Sequence, residues 1–224
     1  MTAPVHASII ARLRALRVVP VIVIDDARQA LPLAAALADG GLPCAEVTFR
    51  TAGAAEALTR IAEEYPNFLV GAGTVLSPAQ ADRAREAGAQ FIVSPGINPR
   101  VVEHCLSIGV PMYPGVCTPS EVESALELGL RTVKFFPAEP MGGVKFLKAI
   151  AAPYGELAFM PTGGITRETI ADYLRYERVV ACGGSWMAPQ EWIAAGSFDR
   201  IRDETRRVVE LVDQIDRRPG GVAA

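Results

Sequence analysis

A single lysine interrupts an apolar stretch of the sequence, where a charged side chain is costly to bury. Residues 132–137 read TVKFFP, and Lys134 is one of three lysines among 22 basic residues. Alternate residues of a β-strand share a face, so Lys134 and Phe136 are predicted to point together into the interior. A desolvated lysine can attack a carbonyl and form a Schiff base, which an arginine cannot do. Lys134 is therefore predicted to be a nucleophile with Phe136 as a substrate contact; the alternative is a lysine paired with a carboxylate for packing alone.

A carboxylate and a guanidinium share one face of an earlier stretch with strand character. Residues 44–50 read CAEVTFR, which places Glu46 and Arg50 on the same side of a strand. A glutamate beside an amine can move protons while an imine forms and breaks, which is general acid–base chemistry. Arg50 suits a substrate carboxylate because a guanidinium donates two parallel hydrogen bonds. A purely structural ion pair of Glu46 with Lys134 or Arg50 is the other interpretation.

Paired glycines follow two later apolar runs and predict a site for a bound anion. Residues 161–165 read PTGGI, and residues 181–186 read ACGGSW. Glycine lets backbone N–H groups approach an anion, and the loops after the last two strands of a barrel commonly bind phosphate. The residues predicted to contact phosphate are Gly163, Gly164, Gly184 and Ser185. In another run, GAGT, Thr74 either bonds a ligand carboxylate or carbonyl, or belongs to a turn that leads to a helix.

Eight short runs of β-branched and apolar residues recur along the chain, and they must position these side chains. They begin near residues 18, 44, 68, 91, 111, 132, 158 and 179, which leaves room for a crossover helix after each strand. The segments between them that are rich in Ala and Leu are 27–38, 52–64, 78–87, 119–128 and 144–151. Eight such units predict an α/β fold, a single (β/α)8 TIM barrel, and the sequence lacks the G-x-G-x-x-G motif of an open dinucleotide-binding sheet.

The chain ends and two prolines complete the predicted architecture. Residues 1–17 space Ile and Leu at helical intervals and predict an N-terminal capping helix; a C-terminal helical extension is predicted at 189–195 and 198–215. The barrel is expected to span residues 1–216 as one domain, with 217–224 as a mobile tail. Pro20 and Pro114 fall inside predicted strands, where the missing N–H indicates a bulge or a strand end.

Composition and charge limit the class of partner. Half of the residues are apolar, 21% are charged and the formal net charge is −3. The protein therefore has no overall positive charge that would attract nucleic acid or anionic membranes. The longest apolar run is far shorter than the roughly 18 residues of a membrane span, which predicts a soluble, cytoplasmic protein. The four cysteines and two histidines lack metal-ligand or redox spacing, so reduced thiols are expected and no metal or cofactor is predicted.

The ordered set of motifs resembles the class I 2-keto-3-deoxy-6-phosphogluconate (KDPG) aldolases, also called 4-hydroxy-2-oxoglutarate (KHG) aldolases. The likeness covers nearly the whole chain and includes VPVI at 19–22, EVTFR at 46–50, GAGTV at 71–75, SPG at 94–96, PG at 114–115, TPSE at 118–121, KFFPA at 134–138, PTGG at 161–164 and GGSW at 183–186. The resemblance implies a homotrimeric TIM barrel in which Lys134 forms the Schiff base and Glu46 is the acid and base. It also implies that Arg50, Thr74 and Thr162 contact the pyruvate portion of the substrate.

The function expected from the residues and the resemblance is reversible cleavage of KDPG to pyruvate and D-glyceraldehyde 3-phosphate, a step of the Entner–Doudoroff pathway. Cleavage of KHG to pyruvate and glyoxylate is a second expected activity. The expected partner is thus a phosphorylated keto acid, without nucleic acid or membrane. Thr162 and Ser185 resemble the gluconate enzymes more than the phosphogalactonate aldolases, which stay an alternative. A phosphosugar isomerase or epimerase, and a phosphosugar-binding sensor without turnover, are the remaining alternatives.

Overall fold

The computed structural model describes residues 2–217 as an α/β fold in which short strands alternate with helices. The strands are β1 (Val18–Ile22), β2 (Cys44–Thr48), β3 (Leu69–Gly73), β4 (Phe91–Val93), β5 (Met112–Tyr113), β6 (Gly115–Val116), β7 (Thr132–Phe135), β8 (Ala158–Pro161) and β9 (Cys182–Gly184). The helices are α1 (Thr2–Leu16), α2 (Ala30–Asp39), α3 (Ala54–Glu64), α4 (Pro78–Glu86), α5 (Pro99–Ser107), α6 (Pro119–Glu127), α7 (Gly143–Ala151), α8 (Ile170–Leu174), α9 (Gln190–Ala194) and α10 (Phe198–Arg217). The predicted mobile tail lies outside the described residues, except for Arg217 at the end of α10.

The described strands form two parallel sheets. One sheet has the order β5-β4-β3-β2-β1-β9, and the other has the order β6-β7-β8. Parallel bridges join Phe159 to Val179 and Thr162 to Gly183, which links the end of the second sheet to the region of β9. The predicted α/β class with parallel strands is confirmed. The prediction of one continuous ring of eight strands differs from the observed pairing, in which the described strands form two sheets.

Both prolines inside the predicted strands lie where strand pairing changes. Pro114 separates β5, which pairs with β4, from β6, which pairs with β7, so the fifth predicted strand is divided in two. The Pro114 carbonyl still accepts a hydrogen bond from the Lys134 N–H at 2.9 Å. Pro20 is the last residue of β1 that pairs with β9, and pairing with β2 begins at Val21. Each proline thus ends a paired stretch, because it has no N–H to donate.

Alternation along the strands separates the core into two apolar layers. The larger layer lies between the strands and the surrounding helices and includes Val47, Val133 and Phe135. The smaller layer is formed by interior side chains of the strands, together with α1; it contains Ile9, Leu13, Val19, Cys44, Leu69, Phe91, Val93, Tyr113, Ala158, Met160, Val180 and Ala181. The helix α1 therefore covers the N-terminal ends of the strands, as predicted for a capping helix.

Side-chain caps determine where several helices begin. The Ser77 hydroxyl accepts the Gln80 N–H at 3.2 Å at the start of α4. At the start of α6, the Thr118 hydroxyl accepts the Glu121 N–H at 3.3 Å, and the Glu121 carboxylate accepts the Thr118 N–H at 2.9 Å. Each cap is followed by a proline, which has no N–H to leave unsatisfied there. None of the helices in residues 2–217 is long and apolar enough to cross a bilayer.

Candidate active site

Lys134 and Glu46 meet in the interior of the fold although 88 residues separate them in the sequence. Lys134 is the third residue of β7, and Glu46 is the third residue of β2. The Lys134 Nζ donates a hydrogen bond to the Glu46 Oε1 at 3.3 Å. The side chains are 8% and 3% exposed, respectively. Because Val133 and Phe135 pack against the helices, the alternation of β7 turns Lys134 inward, as the sequence pattern predicts.

Burial makes this ion pair costly unless both charges keep their partners. Removing the two charges from water costs roughly several kcal/mol per ion, and the attraction between the charges has to offset this desolvation cost. The Lys134 Nζ also lies 5.2 Å from the centroid of the Phe136 ring, where a cation is attracted to the aromatic face. An amine and a carboxylate within one hydrogen bond can exchange a proton, so the pair combines a nucleophile with an acid–base group.

The glycine at the end of β3 makes space for the Glu46 carboxylate. A Cβ added at Gly73 would lie 2.2 Å from the Glu46 Oε1 and 2.7 Å from its Cγ. Gly73 is paired with Thr48 in the neighbouring strand, so the two strands are adjacent at this level. A larger residue would push the carboxylate away from its position beside Lys134. The sequence identifies the GAGT motif, but not this role of Gly73, because contact across strands requires the register.

Thr48 connects the guanidinium of Arg50 to the backbone of β1. Its hydroxyl donates to the Ile22 carbonyl at 2.8 Å and accepts from the Arg50 Nε at 3.3 Å. Thr48 is buried, whereas Arg50 is exposed just beyond the end of β2. Arg50 is thereby positioned with its terminal nitrogens free of protein partners in the described hydrogen bonds, which suits an incoming carboxylate.

A cavity of about 550 Å³ opens at the C-terminal ends of the strands. The predicted site residues that line it are Arg50, Phe136, Thr162, Gly163, Gly164, Gly184 and Ser185. The other three predicted site residues, Lys134, Glu46 and Thr74, do not line this cavity in the part of the chain that the structure describes. Phe136 connects the cavity with the buried ion pair, because it lines the cavity and its ring lies next to the Lys134 Nζ. The structure therefore brings seven predicted residues to the cavity and places the buried ion pair next to it.

The turn after β8 adopts a backbone conformation that favours glycine. Gly163 has φ of +105° and Gly164 has φ of +78°, and L-residues rarely adopt such values. Thr162, which precedes this turn, is buried, and a Cβ added at Gly183 would lie 2.4 Å from its Oγ1. The two loops are thus in close contact, and their glycines are required by space as well as by backbone angle.

Thr74 follows β3 with a strained backbone. Its φ is +59°, an unusual value for a β-branched residue. Strain of this kind costs of order 1–3 kcal/mol and concentrates at functional sites. The half-buried Thr74 lies next to Gly73, which contacts Glu46, and therefore belongs to the surroundings of the ion pair.

Part of the cavity wall comes from residues that the sequence motifs do not assign to a site. Pro189, Gln190 and Glu191, at the start of α9, line the cavity together with Trp186. A Cβ added at Gly184 would lie 1.8 Å from the Trp186 ring, so Gly184 makes space for this side chain. The GGSW motif carries the signal for Trp186. The residues of α9 carry none, because an amphipathic helix after the last strand is also typical of packing alone.

The cysteines and histidines of the described region lie apart from this site chemistry. All four cysteines are free, and burial raises the pKa of Cys44 to about 12 and that of Cys105 to about 11. Burial thus disfavours the reactive thiolate at both positions. His104 Nε2 lies 2.7 Å from Asp82 Oδ1 on the helical surface. Residues 2–217 contain no group of three or more His, Cys, Asp or Glu side chains arranged to hold a metal ion.

Comparison with known proteins gives a consistent family assignment. Residues 9–203 match a family model described as KDPG and KHG aldolase. A 2-dehydro-3-deoxy-phosphogluconate aldolase from Treponema pallidum (strain Nichols) is 50% identical over 200 residues, which are 89% of this chain and 95% of that protein. A KHG/KDPG aldolase from Escherichia coli (strain K12) is 46% identical over 193 residues, which are 86% of this chain and 91% of that protein.

A solved structure extends this similarity to the fold. The crystal structure of a KDPG aldolase from Legionella pneumophila superposes with a TM-score of 0.86 and 39% identity, covering 89% of this chain and 97% of that one. In that structure pyruvate was captured at low pH as a covalent carbinolamine intermediate. The similarity is thus carried by sequence and by three-dimensional structure over most of the chain.

Proposed function

The chain belongs to the KDPG and KHG aldolase family, and from this premise we propose that it cleaves KDPG through a Schiff base at Lys134. It is a carbon–carbon lyase, and the products of the proposed reaction are pyruvate and D-glyceraldehyde 3-phosphate. The observation that carries the proposal is the hydrogen bond of 3.3 Å between the Lys134 Nζ and the Glu46 Oε1, with both side chains buried. This pair supplies an amine and an acid–base group at one point.

The amine supplies the electron sink that cleavage requires. Lys134 transfers a proton to Glu46, and the neutral amine attacks the C2 carbonyl of the substrate to form a carbinolamine. Glu46 returns that proton to the C2 hydroxyl, which leaves as water and gives a cationic imine. Glu46, directly or through a water molecule, takes the proton of the C4 hydroxyl. The C3–C4 bond then breaks, its electron pair moves toward the imine nitrogen to form an enamine, and C4 leaves as an aldehyde. Glu46 returns a proton to C3, and hydrolysis of the imine releases pyruvate and restores Lys134.

The proposed binding groups divide between the two ends of the substrate. Arg50, Thr74 and Thr162 contact the pyruvate portion, and Phe136 packs beside it. The position of Arg50 at the cavity, with its Nε on Thr48, supports the carboxylate assignment. The phosphate group is bound by the backbone and hydroxyl donors of Gly163, Gly164, Gly184 and Ser185. The shared location of these four residues on the cavity wall supports that assignment.

Cleavage of KHG is the second activity that we propose. The name of the Escherichia coli relative includes both substrates. KHG carries the keto acid that Lys134 attacks and has no phosphate, so it requires the ion pair and Arg50 but not the glycine turns. Comparing KDPG with KHG therefore separates the chemical step from recognition of phosphate.

Three wider assignments belong to the same proposal. Residues 1–216 form one closed (β/α)8 barrel, supported by the bridges from β8 to the β9 region and by the Lys134 N–H bond to Pro114, which lies between β5 and β6. The protein assembles as a homotrimer. The family resemblance supports this assignment, and the molar mass measured by light scattering tests it. It acts in the cytoplasm, where a reducing environment matches its four free thiols.

The substitution Lys134→Arg tests the function directly, because it keeps the positive charge and removes the nucleophile. Pyruvate release from KDPG is expected to fall by more than about 10³-fold, as for loss of a covalent nucleophile. Pyruvate is measured by coupling to lactate dehydrogenase. Lys145→Arg, on the exposed side of α7, is the matched control and is expected to keep full activity. Undiminished turnover in Lys134→Arg would contradict the proposal.

A further inference from the structure

Glu139 lies beside the glycine turn after β8, and the mechanism described above does not use it. Its N–H donates to the Gly163 carbonyl at 2.9 Å, and the preceding Ala138 N–H donates to the Thr162 carbonyl at 2.8 Å. These two bonds join the loop after β7 to the loop after β8. Glu139 is half-buried, and it is not among the described residues that line the cavity.

The side chain of Glu139 packs directly against Gly164. A Cβ added at Gly164 would lie 2.7 Å from the Glu139 Cβ and 3.2 Å from its Cγ. Because the turn has no side chain of its own at this point, its backbone rests on Glu139. The position of the Glu139 side chain therefore limits how far the turn can move toward β7.

Tyr173 holds the carboxylate of Glu139 through a hydrogen bond. Tyr173 is 1% exposed, and its hydroxyl donates to the Glu139 Oε1 at 2.5 Å. Burial and the Glu139 carboxylate both raise the pKa of Tyr173, so the hydroxyl stays a donor at neutral pH. Tyr173 belongs to α8, the helix that follows the glycine turn. One carboxylate thus connects the loop after β7, the glycine turn and the next helix.

We propose that Glu139, held by Tyr173, is a positioning residue that sets the Gly163–Gly164 turn for the phosphate group of the substrate. The inference rests on the proposed function, because it requires a phosphorylated substrate. Glu139 acts through the backbone of the turn, since its carboxylate is bonded to Tyr173 and does not line the cavity. Its influence therefore belongs to binding of phosphate and is separate from the step at Lys134.

The test compares a phosphorylated with an unphosphorylated substrate in Tyr173→Phe, which removes one oxygen atom. We expect the KM for KDPG to rise about tenfold, the effect of losing one hydrogen bond to a charged group, while kcat changes less than twofold. The KM and kcat for KHG are expected to stay within twofold of the wild type. Glu139→Ala is expected to match Tyr173→Phe. Glu139→Gln keeps an oxygen that accepts from Tyr173, so it is expected to restore most of the affinity for KDPG.

A second tyrosine–glutamate pair supplies the matched control. The Tyr154 hydroxyl donates to the Glu123 Oε1 at 3.1 Å, away from the cavity. Tyr154→Phe is therefore expected to leave the KM and kcat unchanged for both KDPG and KHG. Equal losses with KDPG and KHG, or an unchanged KM for KDPG in Tyr173→Phe, would overturn the positioning role. If Glu139→Ala does not fold, Tyr173→Phe decides alone. Failure of the wild type to cleave KDPG would overturn the proposed function as well, and the two outcomes are thereby distinguished.

Discussion

The two ends of the strands are built from the same chain segments but carry different kinds of side chain. At the N-terminal end, β2 contributes Cys44 to an apolar layer that Leu13 of α1 completes. Two residues further along the same face, β2 contributes Glu46 to the ion pair with Lys134. Along β2, position therefore decides whether an interior side chain serves packing or chemistry, as in barrels whose reactive groups collect at the C-terminal end.

The backbone differs between the two ends as well. The glycine turn after β8 and Thr74 after β3 adopt left-handed backbone angles at the C-terminal end. The N-terminal end has left-handed residues too: Arg17 has φ of +63° at the junction of α1 and β1, and the glycines that follow α2, α4, α5 and α6 have φ between +77° and +95° (Gly41, Gly88, Gly109 and Gly129). The difference lies in what these residues do: the glycines at the N-terminal end terminate helices, whereas Gly163 and Gly164 line the cavity and Thr74 follows the glycine that contacts Glu46. Changes at the two ends should accordingly separate stability from activity.

The largest expected effect on activity among the following predictions comes from the buried carboxylate. Glu46→Gln keeps the size of the side chain and removes its charge, so kcat for KDPG is expected to fall by about 10²–10⁴-fold, the usual contribution of an acid–base group. Steady-state kinetics with the pyruvate assay measures it. Glu56→Gln, which disrupts an exposed pair with Arg60 on α3, is the control and should leave kcat unchanged. Near-normal turnover in Glu46→Gln would assign the ion pair to packing.

The opposite result is expected at the N-terminal end. Leu13 is fully buried, and Leu13→Ala is expected to lower the free energy of unfolding by about 2–5 kcal/mol because it leaves a cavity in the apolar layer. Urea denaturation measures the loss, and kcat of the folded fraction should stay within twofold. Leu106→Ala, at a residue that is 38% exposed, is the control. A large fall in kcat at unchanged stability would contradict the separation of the two ends.

A smaller effect is expected for the guanidinium at the rim of the cavity. Arg50→Lys keeps the charge but loses the two-pronged geometry, so KM should rise about tenfold for both KDPG and KHG. Both substrates are affected because both carry the keto-acid carboxylate, in contrast to the loss confined to KDPG that is expected for Tyr173→Phe. The exposed Arg100, mutated to Lys, is the control for a general change in surface charge. A change in KM for KDPG alone would place Arg50 on the phosphate side of the cavity.

The sequence predicts those features of the fold that depend on local pattern. The starts of most strands and the inward direction of Lys134 follow from apolar runs and their alternation, and the caps at Ser77 and Thr118 follow from short motifs. The division of the fifth strand at Pro114 is indicated by the missing N–H of proline. That β5 joins one sheet and β6 joins the other depends on long-range contacts, which no local sequence pattern indicates.

The candidate site shows the same limit more clearly. Face alternation indicates that Glu46 and Lys134 both point inward, but their separation depends on the register of all intervening strands. The space that Gly73 leaves for Glu46, and the contact of Glu139 with Gly164, each join residues of different loops or strands. Such contacts involve long sequence separation, so they become visible once the chain is folded.

Borohydride trapping with pyruvate tests the central claim most directly, because it identifies the amine that forms the imine. The wild-type protein is incubated with pyruvate and sodium borohydride, digested, and each lysine peptide is examined by mass spectrometry. The Schiff-base mechanism predicts a reduced pyruvate adduct on Lys134 and none on Lys145 or Lys148, which are exposed on α7 and serve as internal controls. An unmodified Lys134 in protein that has been inactivated, or equal labelling of all three lysines, would contradict it.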